Sequence, residues 1–323
     1  MDYPNITTSS TPHIRAKDTT QSIMRDVIIA LMPATVVGIY HFGIKALLLI
    51  IISIAAAVLA EALYQKITKQ KITVGDLSAV VTGLLLAMNL PSSAPWWVPI
   101  VGSAFAIIFA KQLFGGLGQN FVNPALAGRA FLLGAYPTIM TSWVAPGPDA
   151  ISVATPLAIL KEGTPESLSS LPSLADAVLG NIGGCIGETC AIALIIGGIY
   201  LIAKKVISWR IPVVYLATVF VLSALLPRDG SSPLYELMTG GIMLGAFFMA
   251  TDYATSPITW SGQILMGLGC GVLTVLIRHF GGYPEGVSYS ILIMNLCVPL
   301  IDRVTKPRVF GALPKEKKEA KKA

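Results

Sequence analysis

Ten apolar runs, each close to the width of a bilayer, follow one another along this chain. They lie at about 27–43, 45–64, 77–91, 97–114, 121–137, 177–203, 211–227, 236–251, 262–280 and 284–302. A helix needs roughly 20 mostly apolar residues to cross the hydrocarbon core, and in lipid the backbone must satisfy its own hydrogen bonds. So many such runs predict an all-α integral membrane protein with about ten transmembrane helices. Composition agrees. Of 323 residues, 54% are hydrophobic and only 12% charged, and the mean hydropathy is +0.71. A soluble domain carries about 25% charged residues. The reading divides the chain into a polar segment 1–26, a membrane domain 27–303 and a basic tail 304–323. No apolar core with a small-residue cleavage site precedes the first run, so no cleavable signal peptide is expected.

Basic residues fix the orientation. Lys66, Lys69 and Lys71 follow the second run, Lys111 ends the fourth, and Lys204, Lys205 and Arg210 follow the sixth. The tail 315–323 is also basic. The positive-inside rule then puts both termini in the cytoplasm and the segment 138–176 outside it, in a cell (inner) membrane. The net charge of +6 reads as this topology signal, and no nucleic-acid partner is implied. Membrane lipid is the expected surroundings.

Runs three, five and eight are short, and the two halves echo each other. Thr82-Gly83 in run three matches Thr239-Gly240 in run eight, and Pro124 before run five matches Pro284 before run ten. Short, interrupted runs at matching places suggest an inverted repeat around a central site. The boundaries are about 27–137 for repeat one and 177–303 for repeat two.

Between them lies the longest loop, 138–176, rich in Pro, Ser and Gly. Loops of this length in compact proteins are functional or disordered. Its specific content is Asp149-x-x-Ser152-Val153-Ala154-Thr155-Pro156. Small neighbours leave the Thr155 hydroxyl accessible to a modifying enzyme, and Pro156 biases the residue before it to an extended form.

This motif resembles the flavin-attachment sequence of the NqrB/RnfD family, the integral subunits of the sodium-pumping NADH:quinone reductase and of the Rnf complex. Supporting segments run in order along nearly the whole chain. They include Gly75-Asp76-Leu77, Val81-Thr82-Gly83, Gly115 to Ala125, Gly183 to Thr189 and Met249 to Pro257. The length is closer to the RnfD branch. The resemblance implies a urea-transporter-like scaffold of two inverted five-helix repeats. It implies FMN joined covalently to Thr155 through a phosphoester, with Asp149, Ser152 and Ala154 completing the motif, and a flavin transferase to attach it. A second, non-covalent riboflavin is also implied. In the family the usual residue at position 153 is Gly; here it is Val, which is stiffer and avoids positive φ. The implied function is a flavin-carrying subunit of an ion-motive ferredoxin:NAD+ oxidoreductase that moves Na+ or H+. It would work with the other subunits of the Rnf complex and would not be catalytically complete alone. The alternatives are an NqrB-like subunit of a quinone reductase and a flavin-free channel on the same scaffold.

Two charges fall in apolar runs, Arg129 in run five and Glu188 in run six. A mid-membrane charge costs at least about 2.5–3.5 kcal/mol and calls for a partner. Consecutive antiparallel spans would let these two pair, either as a structural ion pair or as the lining of a cavity that holds the flavin or its phosphate. Asn123 and Pro124 read equally as a helix start. Glu61, Asp76, Asp252 and Asp302 read as interfacial caps and ion pairs, with Asp76 and Asp252 also open to a cation route. The four cysteines read as small packing residues. No His pair has metal-ligand spacing, so no metal site is expected. No dinucleotide or phosphate-loop fingerprint occurs, which leaves any NAD to a partner subunit.

Overall fold

The computed structural model describes residues 18–147, 151–228 and 231–306, and these are helical apart from turns and two isolated β-bridges. Four helices are long and apolar enough to cross a membrane, and four more are apolar but shorter. Large apolar side chains such as Ile51, Leu59, Phe220 and Leu300 point outward. This is an α-helical, multi-pass membrane protein.

Helix α1 (Thr20–Ile67) has 48 residues. Straight, it would reach about 70 Å at about 1.5 Å per residue, more than twice the hydrocarbon thickness. It does not run straight. Gly43 adopts φ 70°, ψ −157°, a region that only glycine enters without strain. The two arms, 20–42 and 44–67, end side by side: Met24 and Ser78 line one cavity, and Lys111 Nζ joins Glu61 to Ser78. The turn itself lies under the 138–176 segment, where Gly147 N–H donates to His41 O at 3.1 Å. The two separate runs expected here are these two arms.

Helix α2 (Ser78–Met88) starts on Asp76, whose carboxylate accepts from Ser78 N–H at 2.8 Å. Helix α3 (Trp97–Phe105) continues through a π turn, Ala106–Lys111, and a 3-10 turn, Gln112–Phe114. Helix α4 (Pro124–Ala135) is capped by Asn123, which accepts from Ala125 N–H and Leu126 N–H. Pro124 at its first position fits a helix start. This settles Asn123 as a cap; its amide also donates to Met249 O at 3.2 Å.

The 138–176 stretch is no open loop. It holds α5 (Pro137–Met140), α6 (Pro156–Glu162), α7 (Pro165–Ser169) and the start of α8 (Leu174–Leu179). Leu157, Leu160, Ala177, Ile182 and Tyr235 form its own small core. Burying these five side chains away from water holds the cap together.

Helix α9 (Ala191–Ala203) begins much later than run six. Residues 181–190 are not helical, so Glu188 sits in a turn, its N–H donating to Cys185 O at 3.3 Å, and not in mid-helix as expected. That stretch pairs with the unwound end of α2: Ile186 N–H donates to Leu90 O at 3.0 Å and Gly187 N–H to Met88 O at 2.9 Å. Non-helical backbone at membrane depth is tolerated where protein buries it and satisfies it. Gly187 permits the approach, because a Cβ there would stand 2.4 Å from Met88 Cβ.

The remainder comprises α10 (Arg210–Leu225), α11 (Pro233–Met238), α12 (Ile242–Leu244) with a π turn over Gly245–Met249, α13 (Trp260–Phe280) and α14 (Val287–Val304). Run eight is therefore two broken pieces. The main core runs through both halves, with Leu86, Met88, Leu126, Ile186, Leu194 and Ile242 buried in it.

Candidate functional site

Thr155 is the N-cap of α6. Its φ of −70° and ψ of 153° are extended, Pro156 follows, and its Oγ1 accepts from Ala158 N–H at 3.2 Å. The hydroxyl is half-buried, with one lone pair used by the cap and its proton pointing to no protein acceptor among the described residues. The residues before it form a short antiparallel pairing. Ala145 N–H donates to Ile151 O, Val153 N–H donates to Trp143 O, and Val144 bridges Ser152. Ser152 and Ala154 are exposed. Asp149 lies outside the described residues.

Val153 takes an ordinary negative φ, so the attachment strand does not require glycine here. Its side chain instead fills the space over Gly183, where an added Cβ would stand 2.6 Å from Val153 Cγ2. The missing side chain at 183 receives the extra one at 153.

Two cavities flank Thr155. The smaller is lined by Thr155, Trp143, Cys185, Glu188 and Glu285. The larger, about 270 Å³, is lined by Val153, Ala154, Trp143, Tyr283, Tyr289 and, at its depth, Arg129 with Glu285. Trp143 and Glu285 belong to both.

Beneath them is a buried charge cluster. Arg129 on α4 donates from Nη1 to Asn89 Oδ1 and Glu188 Oε1, each at 2.6 Å, and from Nη2 to Glu285 Oε2 at 2.7 Å. Its Nη2 also lies 3.7 Å from Cys185 Sγ, and the Cys185 thiol donates to Asn89 O at 3.2 Å. The second oxygen of Glu285 accepts from Gly241 N–H. Four elements thus meet at one guanidinium, namely α4, the end of α2, the 181–190 stretch and the segment leading into α14, and the α11–α12 break joins them through Glu285. Two carboxylates share one direct cationic partner, and a pair so arranged needs every remaining hydrogen bond filled to offset desolvation.

The expected pairing of Arg129 with Glu188 is therefore present, although Glu188 comes from a turn in a non-helical stretch. Sequence reasoning missed Glu285 and Asn89. Glu285 follows Pro284, one of the residues matched between the two halves, but an acid at the very start of an apolar run reads as an ordinary helix-end charge. Asp252 accepts from Asn120 Nδ2 and Thr255 Oγ1. Asp76 is a helix cap. Among the described residues no three His, Cys, Asp or Glu side chains come together as a metal site.

A sequence profile of the NQR2, RnfD, RnfE family matches residues 7–311. The chain belongs to this family. Curated relatives cover it almost end to end. It is 56% identical over 324 residues to a subunit of the Na(+)-translocating ferredoxin:NAD(+) oxidoreductase complex of Acetobacterium woodii, covering 99% of this chain and 100% of that one. It is 49% identical over 317 residues to a subunit of the proton-translocating ferredoxin:NAD(+) oxidoreductase complex of Clostridium ljungdahlii, covering 94% and 96%. It is 39% identical over 340 residues to a subunit of the ion-translocating oxidoreductase complex of Shewanella amazonensis, covering 94% and 97%. In all three complexes the matching subunit is the one lettered D. Within this RnfD-containing family, then, relatives similar to the chain carry names with different coupling ions.

Proposed function

We propose that this chain is the flavin-carrying membrane subunit of an ion-translocating ferredoxin:NAD+ oxidoreductase, with FMN esterified to Thr155. The names of the relatives support the complex and the reaction. The observation that carries the flavin is the placement of Thr155: a half-buried hydroxyl on a capped, extended residue, between two cavities that lead to Arg129. The cavity walls fit an aromatic tricycle, with Trp143, Tyr283 and Tyr289 for its faces and Arg129 for its electron-rich edge. FMN, when bound, supplies one-electron transfer chemistry. The residues of this chain would hold and orient it. Thr155 tethers the phosphate, the aromatic side chains exclude water, and Arg129 sets a positive charge whose strength Glu188 and Glu285 moderate. Partners in this reading are the remaining subunits of the complex and a flavin transferase. A non-covalent riboflavin belongs to the reading on family resemblance alone.

The scaffold of this reading is ten spans in two inverted five-helix repeats, with both termini cytoplasmic and the attachment cap outside. Two buried clusters support it. In the first half, Lys111 at the end of the fourth span meets Glu61 Oε2 at 2.8 Å and Ser78 Oγ at 2.6 Å. In the second half, Arg278 near the end of α13 donates to Glu236 O at 2.7 Å, and Ser223 Oγ donates to Glu236 Oε2 at 3.0 Å. Each cluster joins the second, third and fourth spans of its half through one cation, one glutamate and one serine, with Lys111 on the Glu61 side chain and Arg278 on the Glu236 backbone. The acid and the serine have exchanged spans. The Gly43 turn beside the cap, opposite the Glu61 end, also agrees with the proposed orientation.

The test is direct. After co-expression with a flavin transferase, the denatured band should fluoresce under ultraviolet light, and the peptide carrying Thr155 should gain the mass of FMN less water. A dark band with an unmodified peptide mass would remove the redox assignment and leave the flavin-free channel.

A further inference from the structure

On the face that carries the attachment cap, a second polar cavity opens between α6, the end of α10 and the end of α13. Its volume is about 250 Å³, and Lys161, Arg228, Arg278 and His279 all line it. Among the described residues six buried side-chain nitrogen or oxygen atoms lack a hydrogen-bond partner, and three of them are here: Arg228 Nη1, Arg278 Nε and His279 Nε2. Arg278 is fully buried. A buried donor without an acceptor forfeits about 1–3 kcal/mol, more when charged. Three at one cavity, all nitrogen and none carboxylate, are what a site for an anion looks like before the anion is added.

Among the described residues the nearby acids place their hydrogen bonds on other groups. Glu236 is the closest, with Oε1 3.9 Å from Arg228 Nε, but its two oxygens already accept from Ser223 and Ser231. Arg278 spends Nη1 and Nη2 on the carbonyls of Glu236 and Thr239 at the end of α11. Glu285 lies beyond Gly240, turned to Arg129 and Gly241 N–H. The contrast is with the other buried cations: Lys111 has its own carboxylate in Glu61, and Arg129 has Glu188 and Glu285. Lys161 is anchored by Gly281 O and Tyr283 O, and burial together with the Arg228 charge pulls its ammonium below the ordinary lysine range.

We propose that Lys161, Arg228, Arg278 and His279 form a binding site for a phosphate group. Forked guanidinium donors match phosphate oxygens, and the tetrahedral anion offers acceptors enough for all three orphaned nitrogens. Leu225 and Phe280, both exposed, stand beside the opening. Apolar residues at the rim suit the acyl chains of an anionic phospholipid whose headgroup enters the cavity. The site is separate from Thr155 and does not depend on a flavin there. An occupied site would tie the cap to α10 and α13.

The experiment uses the full chain, stripped of lipid in detergent, and follows its unfolding temperature. Phosphatidylglycerol, inorganic phosphate and diacylglycerol with the same acyl chains are titrated separately. The proposal expects phosphatidylglycerol to raise the unfolding temperature and diacylglycerol to do nothing. Removing two donors with Arg228→Gln and His279→Gln should raise the concentration needed by about tenfold or more. Arg228→Lys, which keeps the charge but not the fork, should fall between the parent and the double variant and guards against misfolding as the cause. Stabilisation by phosphate alone at comparable occupancy supports the site with a soluble ligand. An equal response to diacylglycerol, an unchanged response in the double variant, or no response to either phosphate source overturns it.

Discussion

Arg129 Nη1 stands 2.6 Å from Glu188 Oε1, and the two side chains reach each other from unlike backbones, one a helix and the other a turn in a non-helical stretch hydrogen-bonded to the end of α2. Glu285 takes the other guanidinium nitrogen at 2.7 Å. A simple exchange of charges should therefore fail. Arg129→Glu with Glu188→Arg would set a carboxylate against Glu285 in a buried site. Losing one partner of a buried pair costs about 3–5 kcal/mol, and the exchange should cost at least as much. Adding Glu285→Gln removes the repulsion and should recover part of it. Unfolding temperatures of the double and triple variants in detergent check this; full recovery in the double variant would mean that Glu285 is not coupled to Arg129.

Gly183 and Val153 form a complementary pair. Gly183→Ala places a methyl 2.6 Å from Val153 Cγ2, so the attachment strand must move. Flavin incorporation, read as fluorescence per unit of protein, should fall severalfold. Adding Val153→Gly empties the space and should restore it. If incorporation in Gly183→Ala matches the parent, the strand is free to shift and its packing does not govern attachment.

Thr155 has two jobs that substitution can separate. Thr155→Val removes both the hydroxyl and the cap, and should lose all covalent flavin and about 1 kcal/mol of local stability. Thr155→Ser keeps both groups, since serine caps at least as well, so α6 should stay intact and attachment should persist. Peptide mass analysis and amide exchange over 156–162 read the two effects. A fluorescent Thr155→Val band would move the tether elsewhere.

What the sequence made legible follows from what is periodic or local. Apolar runs gave the helices, and the α1 reversal was visible as two runs parted at Gly43. The Thr155 motif was visible because its chemistry lies in consecutive residues. The lost helicity of 181–190 was not visible, because the stretch runs straight into the apolar residues of α9 and its hydrogen bonds go to Met88 and Leu90, far away in the chain. Glu285 was hidden for the same reason. Its role comes from Arg129 and Gly241 N–H, which only the fold brings near. Lys111 was read correctly as a basic residue at a span end, yet it is buried, and its partners Glu61 and Ser78 sit on two other spans.

That buried pair supplies a last test. Lys111 Nζ lies 2.8 Å from Glu61 Oε2, and both side chains are almost fully enclosed. Gln65 donates to the other Glu61 oxygen at 3.3 Å, so the carboxylate is held on both sides. Lys111→Met leaves a buried carboxylate without its cation and should destabilise the chain by about 3–5 kcal/mol. Glu61→Leu leaves an unpaired ammonium and should cost a similar amount. The double variant Lys111→Met, Glu61→Leu removes both charges and should be milder than either single change, because desolvation of the pair is then avoided. The measurement is a double-mutant cycle on unfolding temperature in detergent. Additive single effects would show that the two residues act independently, which their geometry forbids.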